Sequence, residues 1–144
     1  PPPPAQDADS IPTWEIPNHW VKTSASSMRL ASYEVTDGSG SKLDFSVTSF
    51  PGDVGGTLAN VNRWLGQIGI DPVQEVDLDQ YISPIILDEK EAQLVVAEGN
   101  TDSLYAAILM VDDRSWFFKI TGSRELAQVE KPNFLSFLES VCFH

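Results

Sequence analysis

Leu43, Phe45, Val47 and Ser49 alternate with Asp44, Ser46, Thr48 and Phe50. A period of two predicts a strand with one buried face. Pro51-Gly52-Asp53 then breaks the ladder, because proline lacks a donor and glycine tolerates positive φ. Leu58, Val61, Leu65 and Ile68 follow at helical spacing and predict a helix that ends at Gly69. Trp64 falls at the edge of its apolar side, and Asn60, Arg63 and Gln67 fall opposite. Thr57 and Asp53 are both candidate N-caps.

Upstream, Trp14, Pro17 and Trp20 recur every three residues in IPTWEIPNHW. Prolines favour an extended course there, which predicts a strap closing one end of the core. An aromatic clamp for a ligand is the functional alternative. Met28–Val35 predicts a strand that turns through Asp37–Ser41 into the strand of Leu43–Phe50. Downstream, Val76, Leu78 and Tyr81 predict a short acidic helix with Asp77 and Asp79 outward, ended by Pro84. Gln93–Glu98, Leu104–Val111 and Ser115–Thr121 predict three strands with turns at Gly99–Asp102 and Asp112-Asp113. The unbroken apolar run Ala106–Met110 predicts a strand covered on both faces. Gly122-Ser123 starts a last helical region: Ser123, Leu126 and Val129 predict a first short turn, and Pro132 then opens an amphipathic helix over Phe134–Phe143.

This order predicts an α+β domain over residues 11–144: an antiparallel sheet of about five to six strands with helices on both faces, an αβα sandwich. Pro1–Ser10, PPPPAQDADS, has no apolar side chain larger than alanine and reads as a disordered, Pro-rich tether.

Composition narrows the functions. The chain has 144 residues, is 42% hydrophobic and carries a net charge of −12. That charge argues against nucleic acid and against anionic lipid as partners. The single cysteine, Cys142, excludes an intrachain disulfide and lies in an apolar run that predicts a buried, inert thiol. No run of about twenty apolar residues is present, so no membrane-spanning helix is expected. A chain that starts at Pro1 without Met reads as a processed product.

The candidate chemistry gathers at Phe50–Gly69. Gly55 and Gly56 would expose backbone N–H groups to an anion at a helix N-terminus. Thr57-Leu58-Ala59 follows them, so the lysine of a nucleotide loop is missing, and no dinucleotide fingerprint is present. The plainer reading is a tight strand-to-helix turn. Asp53, Asn60, Asn62 and Arg63, with Trp14, form the candidate binding surface. His19 has no metal-ligand neighbour in sequence, and Asp77-Leu78-Asp79 lacks the rest of a calcium loop, so no metal or cofactor is expected. Ser49, His19 and Asp53 can be written as a nucleophilic set, but their spacing does not support one.

The element order, the opening aromatic-proline strap and the closing run W-F-F-K-I-x-G resemble the PsbP-like fold. Its members include a photosystem extrinsic subunit and a Ran-release factor. Met28–Tyr33 and Phe50–Gly56 through Ala59–Trp64 are similar to uncharacterised exported proteins and putative lipoproteins of planctomycete and verrucomicrobial bacteria. The resemblance implies an extracytoplasmic location and a membrane tether through a removed N-terminal anchor. It brings no catalytic residue. The expected function is a non-catalytic binding or accessory module of the cell envelope that docks a protein or envelope component. The alternative is a small hydrolase acting on an anionic ligand at Gly55-Gly56. A third reading is an oligomeric scaffold without a ligand, and the sequence leaves the oligomeric state open.

Overall fold

The computed structural model describes residues 11–24, 29–53 and 55–144. The expected tether lies outside them, as do Met28 and Val54. The described elements are β1 (Val21–Lys22), β2 (Ala31–Thr36), β3 (Lys42–Pro51), α1 (Gly56–Gln67), a 3-10 helix (Glu75–Gln80), β4 (Ile82–Leu87), β5 (Lys90–Glu98), β6 (Asp102–Val111), β7 (Arg114–Ser123) and α2 (Arg124–Ser140). One sheet of seven strands has the order β1-β2-β3-β7-β6-β5-β4, and every neighbouring pair is antiparallel. The sheet therefore corrects the expected five to six strands. The two additional strands are its edges, β1 and β4.

Pro84 was expected to end an element, yet it sits inside β4. The Val96 N–H donates to the Tyr81 carbonyl at 2.9 Å, and Pro84 pairs with Gln93. Hydrogen-bonded pairs alternate along an antiparallel ladder, so even-numbered β4 residues turn their main-chain groups to the open edge. A proline there removes no ladder bond, which is why an edge strand accepts it.

Alternation along the strands divides the core. Leu43, Phe45, Val47, Tyr105, Ala107 and Phe118 point to one side, where Leu126, Ala127, Phe134, Phe137 and Leu138 of α2 cover them. Val95, Ala97, Leu104, Ala106 and Phe117 point to the other, against Val61, Trp64 and Leu65 of α1 and Leu78 of the 3-10 helix. The expected sandwich needs correction here as well. The long α2 roofs its face, but twelve-residue α1 and the 3-10 turn cover only part of theirs. Val76, expected to line the core, is 81% exposed.

α2 is continuous from Arg124 to Ser140 and runs through Pro132, where a break between a first short turn and the main helix was expected. Proline removes a single bond to the carbonyl four residues earlier. Pro132 and Gln128 are both exposed, on the side of the helix away from the sheet, where losing that bond costs least. Ser123 caps the helix, its Oγ accepting from the Leu126 N–H. Asp88-Glu89 and Asp112-Asp113 close two hairpins at φ 51° and 64°, the left-handed pair a tight hairpin requires.

The strap forms as the tryptophan spacing implied. Thr13 and Cys142 exchange backbone hydrogen bonds of 2.9 and 2.8 Å. Trp14 packs on Phe118 and Phe137, and Trp20 on Phe45 and Phe137. Cys142 is exposed, which overturns the buried thiol: the bridge to Thr13 holds the backbone and leaves the side chain at the surface.

Glu130 of α2, 6% exposed, locks the strap down. It accepts from Trp20 Nε1 at 2.9 Å and Asn133 Nδ2 at 3.1 Å, and pairs with His19 Nε2 at 2.8 Å. Burial alone would raise its pKa, but the three hydrogen bonds outweigh burial and hold it below the ordinary carboxylate value. A carboxylate with a depressed folded-state pKa contributes stability above its unfolded value and loses it as pH falls through the folded value. Glu130→Gln is therefore expected to lower Tm at neutral pH, with the gap to wild type closing in acid. Thermal melts across pH check this, and a gap that stays constant would sink the assignment.

Candidate functional site

The β3–α1 turn is built by conformation. Gly55 (φ 80°) starts the helix, and no side chain caps it, so neither Thr57 nor Asp53 is the N-cap. Gly56 also has positive φ, at 76°. The Thr57 hydroxyl instead donates to Gln93 Oε1 at 3.0 Å and ties the helix start to β5. At the other end Gly69 (φ 80°) stops the helix, and the Ile70 N–H returns to the Leu65 carbonyl at 2.9 Å.

The expected binding residues do not form one patch. Asn60 is buried, 3% exposed, because it lies one helical turn before Trp64 on the flank that meets the sheet. The expectation that it faces outward with Arg63 is corrected. Its Oδ1 accepts from Arg63 at 2.9 Å. Asn62 is a clip: its amide donates to the Val73 carbonyl at 3.0 Å and accepts from the Val73 N–H at 2.8 Å. It fixes the segment after α1. Trp14 is half-buried and packs against the core on the opposite sheet face. Asp53 and Asn60 line a large recess, and Arg63 lines a smaller one.

The large recess, about 780 Å³, is the part of the sheet face that α1 leaves open. Its floor is Pro84 and Ile86 of β4, Gln93 of β5, Ile108 and Met110 of β6 and Phe117 of β7. Asp53, Thr57 and Asn60 form the helix side. Ile86 is 70% exposed and Met110 48%, so large apolar side chains face solvent. Among the described residues, the charged ones lining it are Asp53 and Glu91. An apolar floor with an acidic rim suits an apolar segment flanked by neutral or basic groups. Sequence reasoning missed Ile86, Gln93 and Met110. They meet only through β4–β5–β6 pairing, and the one local signal was a methionine ending an apolar run beside a hairpin turn.

The nucleophilic set does not assemble. His19 Nε2 is engaged by Glu130, and Ser49 Oγ accepts from Arg114 Nε at 3.0 Å. His19 does not line the recess beside the glycine turn. Among the described residues no group of His, Cys, Asp and Glu could hold a metal ion, and no helix is long and apolar enough to cross a membrane.

No family model and no curated protein sequence matches the chain. The likeness to exported planctomycete and verrucomicrobial proteins thus gains no support. Solved structures do match. LpqN of Mycobacterium tuberculosis, described as involved in cell envelope biogenesis, superposes with a TM-score of 0.51 at 11% identity, over 93% of this chain and 84% of that one. The cyanobacterial PsbP (CyanoP) of Synechocystis sp. PCC 6803 superposes with a TM-score of 0.54 at 12% identity, over 94% of both chains. At these identities the match carries the fold alone: the chain has a PsbP-like fold.

Proposed function

We propose that this protein is a non-catalytic binding module of the cell envelope, extracytoplasmic in location, which docks an apolar segment of a protein partner in the recess beside α1. The observation that carries the reading is the open apolar floor with Ile86 and Met110 exposed between Asp53 and Glu91. Exposed large side chains grouped around a concave floor mark interaction sites on soluble domains. The acidic rim favours a segment with basic flanks. The role described for LpqN supports the envelope setting.

A photo-crosslinking amino acid at Ile86 tests this against one at Val129, an exposed apolar position on α2. In envelope extract, a discrete protein adduct is expected from position 86 and not from 129. Adducts of equal yield from both, or none from 86, would overturn the reading.

A further inference from the structure

Three of the nine lysine and arginine residues, Arg29, Arg63 and Lys119, line one recess of about 190 Å³ on the sheet face under α1, in a chain of net charge −12. Ser46 and Thr48 of β3 and Phe117 and Lys119 of β7 form its floor, with Ser46 opposite Lys119 and Thr48 opposite Phe117 in the ladder. Arg63 and Trp64 of α1 form its wall. Among the described residues no carboxylate lines it.

The three cations are not equivalent. Arg29 is already neutralised: it grips Asp44 through two bonds of 2.9 and 2.7 Å and donates to Ser32 Oγ at 2.8 Å. Lys119 Nζ donates to the neutral Gln67 Oε1 at 3.2 Å and lies 5.6 Å from the Trp64 ring centre. Arg63 donates to the neutral Asn60 amide oxygen at 2.9 Å and lies 5.8 Å from the same ring. Among the described residues neither makes an ion pair. Burial first, and the Arg63 charge second, hold Lys119 below the ordinary lysine value, against an opposing pull from Asp44. Two like charges kept together in a partly desolvated recess are costly unless an anion joins them.

We propose that this recess binds a phosphate group, held between Arg63 and Lys119. A phosphate monoester or inorganic phosphate brings close to two negative charges, which matches the two unpaired cations. Arginine presents a donor fork to oxyanions and lysine a point charge, and the Ser46 and Thr48 hydroxyls line the same floor. The site adjoins the apolar recess at Phe117, which lines both, but does not depend on the function proposed there.

Calorimetric titration of the full chain with inorganic phosphate at low salt is expected to show saturable binding. Lys119→Gln and Arg63→Gln should each weaken it about tenfold, the loss of one charge-assisted contact. Lys131→Gln removes the same charge from α2, over the Tyr105 ring, and should leave the affinity unchanged. Arg63 is exposed, so its variant keeps the test sound if Lys119→Gln fails to fold. A parallel flotation with phosphatidic acid or phosphatidylcholine vesicles separates the sources of the group. Capture by phosphatidic acid alone, lost in both recess variants, assigns a lipid headgroup; binding of free phosphate without flotation assigns a soluble ligand. No saturable binding in either arm, or equal weakening by Lys131→Gln, overturns the proposal.

Discussion

Phe137→Ala is expected to destabilise the fold by about 3–5 kcal/mol, the range for a buried phenylalanine whose cavity cannot collapse. Phe137 is 1% exposed. Its ring centre lies 4.8 Å from Phe45, 5.8 Å from Phe118, 5.9 Å from Trp14, 6.2 Å from Trp20 and 6.5 Å from Phe134. It is where β3, β7, α2 and the strap meet. Five rigid neighbours from four segments have no common direction in which to close the gap. Denaturant unfolding should show a lower midpoint with an unchanged slope. Phe137→Leu, which keeps most of the volume, should cost about 1.5 kcal/mol or less. A loss below about 1 kcal/mol for the alanine variant would mean that the junction is not the keystone of the core.

Gly122→Ala should cost about as much by another mechanism. Gly122 faces Leu43 in the β3–β7 ladder with φ 150°. A Cβ there would overlap the Lys42 carbonyl oxygen and come within 3.0 Å of Leu43 Cα. These are backbone atoms and cannot rotate away. Overpacking contributes about 1–3 kcal/mol, and a backbone region reserved for glycine contributes about 1–3 kcal/mol more. Gly38→Ala is the control. Its φ is also positive, at 83°, but nothing lies within 4 Å of the added Cβ. Only the conformational strain remains there, about 1–2 kcal/mol. Thermal melts of both variants check the ranking, and equal shifts would refute the close-approach argument.

The sequence was most legible where one period ran unbroken. β3, β5, β6, β7 and α1 each lie within a few residues of their expected spans. Prolines misled twice, for opposite reasons. Pro84 read as a terminator because a free strand edge leaves no trace in local sequence. Pro132 read as a helix start because its exposure, which makes the lost bond cheap, depends on the sheet behind it. Asn60 reads as outward by its polarity, but its place one turn before Trp64 puts it on the flank that meets the sheet. The candidate sites were less legible than the fold. Arg63 and Asp53 were visible near the glycine turn, but their partners were not. Lys119 reaches Arg63 only because β7 pairs with β3 beneath α1, and Ile86 meets Met110 only across two ladders. Trp14 reads first as part of the strap, with a ligand clamp as the alternative, and it packs against the core as a strap residue does.

Pro84 has one more consequence. It stands in the middle of the sheet's longer free margin, where a visiting strand would need an N–H to dock. At the opposite margin β1 is two residues long. Among the described residues, neither edge strand offers an unbroken run of main-chain groups on which a foreign chain could zip. Any partner that settles beside Ile86 must therefore be chosen by the shapes and charges of its side chains, in whatever backbone geometry it arrives. A recogniser of that kind is blind to the backbone pairing shared by all extended peptides, and unfolded proteins around it gain no generic hold.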